Sequence, residues 1–304
     1  MSDSGKYPPG EFRCGYVTIV GRPNVGKSTL LNRIIGQKMS ITSSKPQTTR
    51  WCLYGIRSGP NYQAIFVDTP GLQTRYRDSL NRHMARETRK AIEQVHVVLM
   101  MVEALVWNTM DEHVHGLLGK LNIPVLLLIN KIDRLQDRGQ LLPFIKQLSG
   151  KNKFNDIIPV SATRNENIDA VESAVVALLP VAPPEYPIDQ LSDRNERFFA
   201  AEFIREKLIR QLGEELPYRI AVTIERFERQ PRIIYVDAVI WVEGESQKRI
   251  IIGKGGLMLK AAGEKARKDM ESMFGCKLYL QTWVKIRKNW TGDARAMKEF
   301  GYEQ

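Results

Sequence analysis

Apolar positions in the first 180 residues fall into short runs that alternate with stretches of helical period. The runs at Tyr16–Val20, Trp51–Ile56, Gln63–Val67, His96–Val102, Val125–Ile129 and Ile157–Val160 predict strands. Between them, Lys27–Ile35, Ser79–Gln94, Asp111–Lys120, Gln140–Leu148 and Ile168–Leu179 show the i, i+3, i+4 spacing of helices with one apolar face. Strands that alternate with helices build βαβ units, so an α/β fold with a mainly parallel sheet is expected. The unbroken apolar run Val-Leu-Leu-Leu-Ile at 125–129 suits a strand covered on both faces.

At Val181 the pattern stops. Val-Ala-Pro-Pro-Glu-Tyr-Pro-Ile carries three prolines in five residues, which cannot continue a helix and favour extended chain. Beyond it a helical stretch (Arg197–Leu212) precedes two strand patterns (Arg219–Arg226 and Ile233–Val242). The apolar triplet Ile250–Ile252, a Gly-rich turn, a long helix (Leu257–Phe274) and a last strand (Lys277–Ile286) follow. The organisation expected is a disordered tail over 1–14, an α/β domain over 15–180, a linker over 181–192 and a smaller α+β domain over 193–304.

Composition narrows the class. Hydrophobic content of 43% and charged content of 26% are ordinary for a globular protein, and no apolar stretch is long enough to span a bilayer. The first 15 residues lack the apolar core of a secretory signal. Three scattered cysteines have no metal-ligand spacing and suit a reducing cytoplasm. The net charge of +11 favours a polyanionic partner. Lys248–Lys288 alone holds eleven Lys or Arg against three Asp or Glu.

The chemistry starts at Gly21-Arg22-Pro23-Asn24-Val25-Gly26-Lys27-Ser28, which matches G-x-x-x-x-G-K-[ST] between a predicted strand and a predicted helix. Glycines let successive N–H groups curl towards phosphate oxygens, and the helix N-terminus adds partial positive charge. Lys27 is expected to reach the β- and γ-phosphates, Ser28 to bind Mg2+, and Thr29 to extend the loop's contacts. Forty residues on, Asp68-Thr69-Pro70-Gly71 closes a strand. Asp68 suits Mg2+ through water, and the Gly71 amide suits a γ-phosphate sensor. Asn130-Lys131-Ile132-Asp133 ends another strand. A carboxylate at Asp133 can accept both N1–H and N2–H of guanine, a donor pair that adenine lacks. Asn130 can brace the loop and the Lys131 stem can lie on the purine, while Ser161-Ala162 after the next strand offers backbone N–H to guanine O6. Leu72 stands where many GTPases place a water-orienting Gln, so slow intrinsic hydrolysis is expected.

In the second half, Ile252-Gly253-Lys254-Gly255-Gly256 has the G-x-x-G form of a KH loop before a long helix. Lys254, Lys260, Lys265, Arg267 and Lys268, with Lys285, Arg287 and Lys288 at the last strand, make this region basic. The order α–β–β–α–α–β is the type II KH arrangement. The basic run Arg75 to Lys90 suits a solvated helix face, the alternative being a contact with RNA or protein; the four histidines show no ligand set and suit structural or exposed positions, and the five tryptophans suit the core.

The phosphate loop, Asp68–Gly71, Asn130–Asp133 and Ser161-Ala162 together resemble the TRAFAC-class translation-factor-like GTPases over residues 15–180. That resemblance implies that a threonine of Lys45-Pro-Gln-Thr-Thr-Arg50, Thr49 in preference to Thr48, closes over Mg2+ and the γ-phosphate. It also implies that Asn24 helps to hold K+, the alternative being that Asn24 only shapes the loop. Almost the whole chain resembles one family, the Era GTPases, through these motifs and Leu216-Pro-Tyr, Ile224-Glu-Arg-Phe and Ala266-Arg-Lys-Asp-Met. The resemblance implies GTP and GDP with Mg2+ as ligands and a monomeric assembly factor of the small (30S) ribosomal subunit. It further implies binding near the 3′ end of 16S rRNA, in the cytoplasm, with some association at the inner-membrane periphery. A nucleotide-bound RNA-binding platform without turnover is the alternative, and a P-loop ATPase or small-molecule kinase is disfavoured by Asn130–Asp133.

Overall fold

The computed structural model describes residues 12–41, 53–68, 94–151, 154–212 and 220–300. They divide into two compact units, the first closing at Asp193 and the second opening at Arg194.

The first unit is a six-stranded sheet of β1 (Arg13–Val20), β2 (Leu53–Ser58), β3 (Tyr62–Asp68), β4 (Val97–Glu103), β5 (Val125–Asn130) and β6 (Asp156–Pro159). Their spatial order is β2-β3-β1-β4-β5-β6. Only β2 runs antiparallel to its neighbour. The helices are α1 (Lys27–Ile35), α2 (Thr109–Leu118), α3 (Leu141–Ser149) and α4 (Ile168–Leu178). All six residues of β5 and the first six of β4 are buried, as continuous apolar strands inside a two-sided α/β core should be. Strand order reverses at β1, whose two neighbours are β3 and β4. In open α/β sheets such a reversal leaves a crevice beyond the carboxyl ends of the strands, where ligands bind.

Two domain boundaries differ from those expected. The expected tail ends early, because Arg13 and Cys14 already belong to β1 and Phe12 packs with Cys14 and Ile65 in a small apolar cluster. The proline-rich segment is no free linker. Ala182 N–H donates to the Phe12 carbonyl at 3.0 Å, and Ile56 N–H donates to Leu191 at 2.9 Å. The buried Gln63 side chain accepts from the N–H groups of Glu185 and Tyr186 at 2.9 Å each and donates to the Tyr186 carbonyl at 2.9 Å. Prolines exclude a helix, but they leave an extended chain able to pair with a sheet edge. The expected helix Ser79–Gln94, apart from Gln94, and the whole basic run Arg75 to Lys90 lie outside the described residues.

The second unit contains α5 (Glu196–Gln211), β7 (Ala221–Arg229), β8 (Ile233–Val242), α6 (Glu245–Ile252), α7 (Leu257–Phe274), β9 (Lys277–Ile286) and the short α8 (Ala294–Glu299). The sheet order is β7-β8-β9, antiparallel then parallel. Ile250–Ile252, an unassigned apolar triplet in the sequence pattern, forms the last turn of α6. In α5 every residue from Phe199 to Ile209 except the half-buried Ala201 is either buried apolar or buried charged. The charges are matched internally: Arg205 forks onto Glu202 through two bonds of 2.7 Å, and Lys207 and Arg210 both meet Glu206 at 2.9 Å. Buried charge survives only when paired in this way. Among the tryptophans, Trp290 is fully buried and Trp241 stacks on Phe300, but Trp283 on the outer face of β9 is 44% exposed, contrary to the core reading. Strand alternation decides this, since residues 277, 279, 281, 283 and 285 share the face turned from the helices.

Candidate nucleotide and nucleic-acid sites

Five functional segments reach the same edge of the first sheet because each follows the carboxyl end of a parallel strand. Gly21–Gly26 follows β1, Asp68 ends β3, Glu103 ends β4, Asn130 ends β5 and Ser161 lies just past β6.

The loop between β1 and α1 curls as the phosphate motif requires. Gly26, the residue before α1, has φ 110°, and a Cβ there would lie 2.2 Å from the Asn130 side-chain nitrogen. Only glycine allows Asn130 that close. Asn24 also takes a positive φ, 65°, at an exposed position of the loop. The Lys27 ammonium folds back across the loop and donates to the carbonyls of Gly21 at 3.0 Å and Arg22 at 2.9 Å. Burial lowers its pKa to about 8, against the opposing pull of Asp68.

Asp68 is 1% exposed, and burial raises its carboxyl to about 6 despite a hydrogen bond from the Ser40 hydroxyl and the charge of Lys27. Asn32, on α1, holds Ser40 in place: its carboxamide oxygen accepts from the Met39 and Ser40 N–H groups at 2.8 Å, and its nitrogen donates to the Ser40 carbonyl at 2.8 Å. A buried, incompletely compensated carboxylate beside a phosphate loop and Ser28 is a donor set that fits Mg2+, which binds through few protein oxygens and completes its shell with phosphate and water. No cluster of three or more His, Cys, Asp or Glu competes for a metal among the described residues.

The base-recognition elements converge on Asn130. Its side-chain nitrogen donates to the Val25 carbonyl at 2.7 Å, and its oxygen accepts from Ala162 N–H at 3.0 Å. Asn130 thus braces the phosphate loop as well as the loop after β6. Asp133 Oδ1 accepts from the Ser161 hydroxyl at 2.6 Å. Lys131 takes the left-handed conformation at φ 68°, and its ammonium meets Glu103 at 2.8 Å. Ser161 N–H donates to Glu166 and Ala162 N–H to Asn130, so both backbone donors expected to face a purine oxygen are engaged inside the protein.

In the second unit the G-x-x-G turn joins α6 to α7. Gly253 has φ 71° and ψ 177°, and a Cβ there would approach Met258 Cβ to 2.6 Å. Gly255 and Gly256 also have positive φ, 57° and 78°, but open space lies where their Cβ atoms would be. Ile250 and Leu257 flank the turn at 46% and 68% exposure, while Ile251 points into the core. Lys254 and Lys260 are exposed beside it. Lys285 lies over the Trp241 ring at 5.7 Å. Arg287 is differently placed from the expectation: it pairs with Glu299 and Asp293 and packs on Phe300, which ties it to α8.

Comparison with known proteins agrees with this geometry. Residues 16–131 match the family model described as a 50S ribosome-binding GTPase, and residues 215–291 match the KH domain model. The chain is 50% identical to GTPase Era of Marinobacter nauticus over 301 residues, covering 99% of both chains. It is 48% identical to GTPase Era of Stenotrophomonas maltophilia over 290 residues, covering 95% of this chain and 97% of the other. The chain belongs to the Era GTPase family. Two crystal structures share its fold at 38% identity, each covering 96% of this chain and 100% of the other. A point variant of Aquifex aeolicus Era bound to GDP·AlF4⁻ gives a TM-score of 0.91. Era in complex with MgGDPNP and nucleotides 1506–1542 of 16S ribosomal RNA gives 0.90.

Among the sequence-predicted Era site residues, Gly21–Ser28, Asp68, Asn130–Asp133 and Ser161-Ala162 gather at one sheet edge, and Thr29 lies in the first turn of α1. Thr48, Thr49, Thr69, Pro70, Gly71 and Leu72 lie outside the described residues. Sequence reasoning missed Asn32, Arg33, Ser40, Glu103 and Asp111. Arg33 donates to the carbonyls of Ala162 at 3.1 Å and Thr163 at 2.8 Å, anchoring the loop after β6 to α1. None of these residues stands in a motif; α1 carries Asn32 and Arg33 to the site, and strand order brings Glu103 there.

Proposed function

We propose that this Era-family chain binds GTP at the edge formed by β1, β3, β5 and β6, hydrolyses it, and couples that cycle to a single-stranded segment near the 3′ end of 16S rRNA during assembly of the 30S subunit. The carrying observation is the pair of hydrogen bonds at the Asn130 side chain, donated to the Val25 carbonyl and accepted from Ala162 N–H, which ties phosphate loop and base loop together. The rRNA target follows from the relative whose complex contains nucleotides 1506–1542.

In this reading the N–H groups of Asn24–Ser28 cradle the phosphates, with Arg22 and Pro23 shaping the entry to the turn. Lys27 exchanges its two carbonyl contacts for phosphate oxygens. Ser28, Asp68 and Thr49 hold Mg2+, which when bound neutralises charge between the β- and γ-phosphates. Gly71 senses the γ-phosphate, and Thr69, Pro70 and Leu72 carry the loop that responds. Asp133 reads the guanine donors, and Lys131 and Ile132 flank the base. Asn24 would hold K+, which would supply a second positive charge against the charge that develops on the phosphates. In the KH unit, Ile252–Gly256 admit the RNA backbone, and Lys254, Lys260 and Lys285 supply charge. Work in the cytoplasm, as a monomer with peripheral inner-membrane contact, completes the proposal.

The test is single-turnover GTP hydrolysis in KCl and in NaCl, with and without a single-stranded RNA matching the 3′ end of 16S rRNA. Stimulation by the RNA that disappears when the G-x-x-G loop is altered supports the coupled cycle. Tight RNA binding with an unchanged rate would break the coupling, and equal rates in both salts would remove K+.

A further inference from the structure

Glu103 is the carboxylate through which basic side chains of the phosphate loop and of the base loop meet. It ends β4 in register with Asn130, and the next residue, Ala104, donates its N–H to the Asn130 carbonyl at 2.8 Å. A tight turn fixes its backbone: Val106 N–H returns to the Glu103 carbonyl at 3.0 Å, with Leu105 at φ 60° between them. One carboxylate oxygen accepts from Arg22 at 3.1 Å and from Lys131 at 2.8 Å, and the other lies 4.0 Å from Arg134. Arg22 Nε also lies 3.4 Å from Asp111, a fully buried carboxylate fixed in turn by the capping box of α2. Partial desolvation works against the Glu103 charge, but the hydrogen bond from Lys131 and the charges of Lys131, Arg22 and Arg134 hold its carboxyl below the ordinary range.

We propose that Glu103 is a positioning residue that clamps Lys131 and Arg22 and so sets how long guanine nucleotide stays bound. The inference rests on the reading of Asn130–Asp133 and Gly21–Ser28 as the nucleotide site. A lysine carries its charge on a flexible four-carbon stem. Its stem can lie flat along a purine only if the ammonium has a fixed anchor beyond the ring. Glu103 is that anchor. It also keeps three cations from repelling one another at the rim of the site. An anchor that acts equally on bound GDP, bound GTP and the transition state alters nucleotide release and leaves the rate of the bound complex nearly unchanged.

The experiment measures release of fluorescent GDP from the full chain by chase with unlabelled GDP, for wild type, Glu103→Gln, Lys131→Ala and the double variant. Glu103→Gln should release about tenfold faster, the scale of coupling found between residues in contact. In the Lys131→Ala background the same change should have a clearly smaller effect, because of the two clamped groups only Arg22 remains. Single-turnover hydrolysis by Glu103→Gln at saturating GTP should stay within about threefold of wild type. Glu103→Asp, which keeps the charge but shortens the reach, should also release faster, and it carries the test if the glutamine variant melts early. Release within about twofold of wild type for both variants, or the full factor in both Lys131 backgrounds, overturns the clamp. A wild type that retains no labelled GDP would remove the site reading itself, an outcome distinct from retention that is indifferent to Glu103.

Discussion

Asn130 donates to the Val25 carbonyl at 2.7 Å across 105 residues of chain, so the loop after β5 also braces the loop between β1 and α1. The same side chain accepts from Ala162. Asn130→Asp should be worse than Asn130→Ala for this arrangement. It turns a carboxylate oxygen onto the Val25 carbonyl, whereas alanine only leaves the carbonyl and one N–H without partners. Loss of a buried hydrogen-bond partner costs about 1–3 kcal/mol. Urea unfolding should show a loss of that order for Asn130→Ala, with nucleotide affinity falling in parallel. An intact affinity would separate the brace from the site.

In the proposed reading Asp133 carries the choice of base. Asn in its place presents an amide donor to a ring edge that already donates, so GDP affinity should fall at least about a hundredfold, on the scale of two lost charge-assisted hydrogen bonds. Xanthine nucleotide, which offers an oxygen there, should bind the Asp133→Asn variant better than the wild type. Competition between XDP and GDP in both proteins measures this directly.

The pH dependence follows from two opposed shifts. Burial raises Asp68 to about 6, so below that pH the ligand-free site holds a proton where Mg2+ needs a charged oxygen. Mg2+-dependent nucleotide binding should weaken as pH falls through about 6 and be full above it. Burial lowers Lys27 to about 8, so the ammonium that phosphate needs is fully present below that pH and is lost as pH rises through it. For stability, the raised Asp68 makes the ligand-free fold less stable once pH exceeds the carboxyl's unfolded value of 3.8, and this penalty is complete above about 6. Bound Mg2+-nucleotide removes most of that penalty. Thermal melts of the ligand-free and Mg2+-GDP forms should therefore diverge as pH rises from 5 through about 6, with no further divergence from Asp68 above it.

Within the KH turn, neighbouring glycines should behave differently. At Gly253 an added Cβ meets Met258 at 2.6 Å and φ is 71°, so Gly253→Ala should destabilise the second unit by about 1–3 kcal/mol, as strained backbone positions do. At Gly255 the Cβ has open space. Gly255→Asp should therefore fold, at a smaller left-handed cost, yet repel the RNA backbone and weaken RNA binding by about tenfold or more. Fluorescence anisotropy with the 3′-terminal rRNA segment, alongside a melt, distinguishes loss of fold from loss of contact. RNA affinity of Gly255→Asp equal to wild type would take the turn out of the interface.

Sequence period and spacing carried much of this protein. The long helix Leu257–Phe274 and the strands Ile233–Val242 and Lys277–Ile286 have the bounds that their apolar pattern predicts, because each is long, regular and closed by glycine or a polar turn. The phosphate loop and Asn130–Asp133 are equally legible. Their chemistry needs particular residues at fixed short spacing, and backbone geometry over a few residues is a local property. Tertiary structure alone decided that Val181–Asp193 lies along the sheet instead of hanging free, since Gln63, which grips Glu185 and Tyr186, is remote in sequence and bears no mark of that role. It likewise placed Trp283 outside and Arg287 against α8, and it drew Arg22, Glu103, Asp111 and Lys131 into one charge network. The reason is physical. Local pattern determines which residues form a strand or a turn, but parallel strands set every carboxyl end side by side, and contacts among those ends depend on strand order, which no local pattern contains.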